Sequence, residues 1–124
     1  MSSSDLTLIQ DPGQFEDLLA ESHARPVLLF KHSYTCGTSA FALDELRAFI
    51  AEATRDVHYA MVAVQTHRAL SSSIAATLGI RHETPQVLLL RNGQVAWHAS
   101  HYRVTAETLT RALASLSPAT AASR

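Results

Sequence analysis

The strongest constraint on the fold is a change of period along the first half of the chain. Val27–Phe30 (V-L-L-F) is an unbroken apolar run entered through Pro26, the pattern of a short strand covered on both faces. After it the spacing becomes helical: Phe41, Leu46, Phe49, Ile50 and Ala53 recur at steps of three to five, which predicts a helix from about Gly37 to Ala53 with these residues along its inward side. Val57–Val64 (V-H-Y-A-M-V-A-V) is a second run of β-formers, and R-A-L-S-S-S-I-A-A-T-L from Arg68 is a second helix, ended by Gly79. A strand, a helix and a strand in this order are the makings of a parallel crossover unit.

The second half closes differently. Gln86–Leu90 and Gln94–Ala99 flank Asn92-Gly93, the strongest short-range hairpin signal, so these strands are expected to be antiparallel neighbours. A last helix follows Thr105, its expected N-cap, with Leu109, Ala112, Leu113 and Leu116 inward. At the start, a short strand at Leu6–Ile9 precedes Asp11-Pro12-Gly13-Gln14, which reads as a capping box opening a helix that carries Phe15, Leu18 and Leu19. The order β-α-β-α-β-α-β-β-α predicts an α/β domain with a mixed central sheet and helices on both faces, the order of a thioredoxin-like domain. Residues 1–117 are expected to form this single domain, with 118–124 as a frayed tail.

At 124 residues the chain has room for one core, and 47% apolar against 17% charged residues excludes a disordered composition. A net charge of −1 gives no pull toward nucleic acid or an anionic membrane. No apolar run approaches the roughly 20 residues that span a bilayer, and the first residues lack a signal peptide's pattern, so a cytoplasmic location is expected. In that reducing compartment Cys36, the one cysteine, is expected to be a free thiol.

A lone cysteine is usually a small buried filler. Cys36 instead falls where the first buried strand hands over to its helix, among Ser33, Thr35, Gly37, Thr38 and Ser39. Unpaired N–H groups and aligned peptide dipoles at a helix start favour an anion, and such sites lower a thiol pKa from about 8.5 to roughly 3.5–7.5. Lys31 and His32 are candidates for added positive potential, with plain solvation as the alternative. Ser39, three residues on, is placed to donate through its hydroxyl and its backbone N–H, or to be an ordinary first-turn serine. C-x-x-S stands where disulfide oxidoreductases carry C-x-x-C, so this site cannot form its own internal disulfide.

Arg81-His82-Glu83-Thr84-Pro85-Gln86 leads into the strand Q-V-L-L-L. A proline ahead of a central strand removes a ladder donor, which points to a special turn with a possible cis bond. His82 and Glu83 are then rim residues or simply exposed loop. Seven histidines invite a metal reading, but no paired Cys/His spacing of a zinc site occurs and no metal is expected.

K-H-S-Y-T-C-G-T-S together with R-H-E-T-P-Q-V-L-L-L-R-N-G-Q-V-A-W-H-A-S-H resembles the monothiol bacilliredoxins of the bacillithiol system, within the thioredoxin superfamily, over about Leu6 to Leu116. The resemblance implies removal of bacillithiol from S-bacillithiolated proteins, or related thiol redox control, with no tightly bound cofactor and bacillithiol as co-substrate. The partners it implies are S-thiolated client proteins, a low-molecular-weight thiol and a thiol reductase. Carried over, Cys36 is the nucleophile, Ser39 the place of the absent resolving cysteine, and Thr84 with a cis-Pro85 the substrate-facing turn; by position in the chain, Gly37, Thr38 and Lys31 are further candidates for thiolate support and His82 for the substrate-binding rim. The family's usual T-C-P-I-S is here T-C-G-T-S, whose Gly37-Thr38 also resembles the C-G-F-S of monothiol glutaredoxins, some of which hold an iron–sulfur cluster with glutathione. Two other readings stand beside this one: a non-catalytic binding module working through the Pro85 groove, and a thiol-dependent cluster carrier.

Overall fold

The computed structural model describes residues 6–116, so the tail predicted at 118–124 lies outside the described residues. The elements are β1 (Leu6–Leu8), α1 (Pro12–Glu21), β2 (Val27–His32), α2 (Gly37–Glu52), β3 (His58–Ala63), α3 (Arg68–Leu78), β4 (Gln86–Arg91), β5 (Gln94–Ser100), a short 3-10 turn (His101–Arg103) and α4 (Ala106–Ala114). They form a single mixed sheet in the order β1-β3-β2-β4-β5. β2 lies parallel to β3 and antiparallel to β4, and is buried along its whole length.

Local chemistry accounts for the ends of these elements. Asp11 accepts from the Gln14 N–H while the Gln14 side chain returns to the Asp11 N–H, and Thr105 and Thr108 do the same for α4. Asn92 and Gly93 turn the hairpin at φ 57° and 78°, the left-handed pair that suits the twist of antiparallel strands. Gly79 stops α3 at φ 66°.

Alternation along the strands divides the core in two. Leu28, Phe30, Tyr59, Met61, Val87 and Leu89 pack under α2 and α4; Val27, Leu29, Ala60, Val62, Leu88 and Leu90 pack under α1 and α3. One expectation is corrected. Phe41 is 46% exposed, and the inward stripe of α2 is Ser39, Ala42, Leu46 and Ile50. At about 100° per residue, Phe41 stands about 140° around the helix from Leu46, so the two cannot share a face.

Candidate active site

Cys36 is the N-cap of α2. Its backbone is extended (φ −108°, ψ 122°), and its carbonyl accepts the first helical bond from Ala40 N at 3.1 Å. The side chain is partly exposed and belongs to neither core cluster. As a thiol it closes no cap hydrogen bond. Its pKa is lowered, first by the Ser39 N–H; desolvation, next in size, opposes this, and the N–H and hydroxyl of Thr38 add smaller lowering contributions. The thiolate support is therefore the first turn of the helix itself, with no charged side chain contributing.

Ser39 supports the site in another way than its hydroxyl reaching the sulfur. It is fully buried, its Oγ accepts from the Ser33 N–H at 2.9 Å, and its hydroxyl meets His32 Nδ1 at 2.7 Å. Burial, and secondarily Arg47, hold the His32 pKa below the usual imidazole value, which favours the neutral ring beside the Ser39 hydroxyl. The residue standing where a resolving cysteine would be is a peg between β2 and α2. It holds the Thr38 and Ser39 amides under Cys36.

Lys31 is not beside the sulfur, which corrects its expected role. Strand alternation sends it to the α3 face, where the fully buried Nζ lies 3.1 Å from His82 Nδ1 and 3.4 Å from the Ser71 carbonyl. Gly37, at the first helical position, is exposed and supplies no donor that shifts Cys36.

The Thr84-Pro85 peptide is cis. Lys31 pairs with Gln86 across β2 and β4, so the next positions on the two strands are His32 and Pro85, which brings the turn to the edge from which the Cys36 loop leaves. The Gln86 amide donates to the Arg81 carbonyl at 2.9 Å and accepts from the Glu83 N–H at 3.4 Å, tying the turn from inside. His82 is exposed and its Nε2 lies 3.4 Å from Thr84 Oγ1. Glu83 lies 3.9 Å from His101, and the Ser100 hydroxyl, ahead of the nearby cations, holds its carboxyl below the usual range.

Residues beyond those expected complete the site. His101 N donates to the Pro85 carbonyl at 2.9 Å, and the hydroxyl of its neighbour Tyr102 lies 3.3 Å from Thr38 Oγ1, so the 3-10 turn bridges the two halves. Gln65, just past β3, binds Ser33 Oγ, Thr35 Oγ1 and the Tyr34 N–H. Only the chain's polar residues after an apolar run hinted at such roles, and nothing in their spacing singled them out. Exposed rings ring the loop: Tyr34 at 61%, edge-on to His32 at 4.9 Å, and Tyr102 at 73%. From the turn an open groove runs along β5 past Glu83, Trp97, His98, Ser100, His101 and Arg103.

A partly exposed cysteine at a helix start, beside a cis-proline turn on this sheet, defines a thiol–disulfide oxidoreductase of thioredoxin fold. Residues 7–109 match the family model of the monothiol bacilliredoxin BrxC, and the chain belongs to that family. A solved thioredoxin-fold protein, described provisionally as an oxidoreductase, is similar at 32% identity and TM-score 0.79, covering 87% of this chain and 93% of that one. A thioredoxin mutant from Halobacterium salinarum NRC-1 (18% identity, TM-score 0.74, covering 95% and 98%) and mitochondrial thioredoxin 3 from Saccharomyces cerevisiae (16%, 0.71, 94% and 100%) share the fold. Among the described residues no helix is long and apolar enough to cross a membrane.

Proposed function

We propose that this protein removes bacillithiol, or a related acidic low-molecular-weight thiol, from protein mixed disulfides in the cytoplasm. The Cys36 thiolate attacks the thiol-derived sulfur; the bond to the client sulfur breaks, its electron pair leaves on the client, and Cys36 becomes capped. A second molecule of the thiol then attacks the capping sulfur as thiolate. This frees Cys36 and yields the thiol's own disulfide, which a reductase returns to thiol. Ser39 has no sulfur to resolve the cap internally, so an external thiol is required.

The observation that carries this reading is Cys36 itself: partly exposed, at the start of α2, with the Ser39 and Thr38 amides favouring its charged form. The alternative of a packed filler in a binding module calls for a side chain inside one of the apolar clusters, which Cys36 is not. The groove along β5 offers Arg103, His98 and His101 to an acidic thiol bound next to the turn. The test is release of a client's thiol from its bacillithiol mixed disulfide by wild type and by Cys36→Ala. Wild-type release with none by the variant is expected; equal rates would remove Cys36 from the reaction.

A further inference from the structure

Lys31 is the only lysine of the chain, all nine other Lys/Arg cations being arginines, and it is fully buried. Among the described residues no carboxylate lies within ion-pair distance of it. An unpaired buried ammonium is costly, and where only positive charge is needed arginine serves. What lysine alone offers is a proton it can release, because burial brings its pKa down to about 8 whereas a guanidinium stays charged.

The hydrogen-bond chain from this ammonium has a direction. An ammonium only donates, so at 3.1 Å it makes His82 Nδ1 an acceptor and leaves the ring proton on Nε2. Burial first, and Lys31 second, keep the His82 pKa low, in keeping with that neutral tautomer. Nε2–H then donates to Thr84 Oγ1 at 3.4 Å, and the Thr84 O–H is left to donate outward, next to the cis peptide. Ser71 completes the surroundings: its carbonyl accepts from Lys31 at 3.4 Å and its Oγ lies 3.3 Å from His82 Nδ1. The charged groups facing His82 are Lys31 and Glu83; Lys31 faces the titratable His82 alone.

We infer that Lys31, His82 and Thr84 form a proton relay that neutralises the client thiolate expelled at the Thr84-Pro85 turn. As the client sulfur leaves with its electron pair, the Thr84 hydroxyl proton passes to it, His82 Nε2–H passes to Thr84 Oγ1, and an ammonium proton of Lys31 passes to His82 Nδ1. The net change is an ammonium to an amine and a thiolate to a thiol, and solvent later returns the proton to Lys31. Thr84 is the catalytic residue, while His82 and Lys31 act through it. This inference rests on the exchange reaction proposed above.

The test uses the intact protein and two bacillithiol mixed disulfides, one expelling an alkyl thiol (a cysteine peptide) and one expelling 2-nitro-5-thiobenzoate, whose thiolate needs no proton. Capping of Cys36 is timed in a single turnover, and circular dichroism verifies the fold of each variant. Thr84→Val, His82→Ala and Lys31→Met are expected to lower the alkyl-to-aromatic rate ratio about a hundredfold, the low end of acid-catalytic effects, and Thr84→Ser to restore it. The wild-type advantage over Lys31→Met on the alkyl disulfide should fade as pH rises through about 8 and the ammonium disappears. Folded variants that leave the ratio unchanged overturn the relay alone. A wild type inert toward both disulfides overturns the exchange reaction and the relay with it.

Discussion

The His32 imidazole and the Ser39 hydroxyl meet at 2.7 Å inside the protein, joining the last residue of β2 to the first turn of α2 on either side of Cys36. The reactive loop is thus held by a buried hydrogen-bonded pair, and the helix amides stay where a charge on sulfur needs them.

Ser39→Ala removes the hydroxyl that Ser33 N–H and His32 Nδ1 both use. Leaving two buried polar groups unpaired costs about 1–3 kcal/mol. Urea unfolding should show that loss with an unchanged slope, and thiolate absorbance against pH should show the Cys36 pKa moving back up toward that of a free thiol.

Gly37→Pro should stabilise. Gly37 is the first residue of α2, a Cβ built there meets nothing within 4 Å, and the position tolerates a missing N–H. Restricting the unfolded chain is worth about 0.4–1 kcal/mol. Because the donors that favour the thiolate belong to Thr38 and Ser39, the same absorbance titration should place Cys36 as in wild type.

Lys31→Met should also stabilise, with a pH dependence that reports the buried ammonium. The folded-state pKa of about 8 lies below the roughly 10.4 of an unfolded lysine, so between these values the unfolded chain binds more protons and wild-type stability rises with pH. The burial penalty is complete below about pH 8. There the variant should be more stable by about 1–3 kcal/mol, and the gap should close between about pH 8 and 10.5, as measured by chemical unfolding at a series of pH values.

Much of this architecture is legible in the chain. The apolar runs, the Asn92-Gly93 turn, the Asp11 capping box and the helix start at Cys36 are local signals, and each appears where local chemistry puts it. What escapes is whatever depends on which face of the sheet a helix covers. Alternation says that Lys31 and His32 point opposite ways, but only the crossover of α2 onto the Phe30 side decides that His32 serves the Cys36 loop while Lys31 serves His82. Phe41 illustrates the same gap, since apolar residues flanking a stripe cannot be sorted until the partner surface is known. The bonds of Gln65 and Tyr102 to the loop join residues 30 to 64 positions apart, beyond any local pattern.

The central claim is that Cys36 takes the small thiol from the client. Mixing one equivalent of the protein with an S-bacillithiolated client and recording intact masses of both tests it directly. The account predicts that the client loses one bacillithiol and this protein gains it on Cys36. A client that keeps its adduct, or a covalent complex of client and protein as the accumulating product, would contradict it.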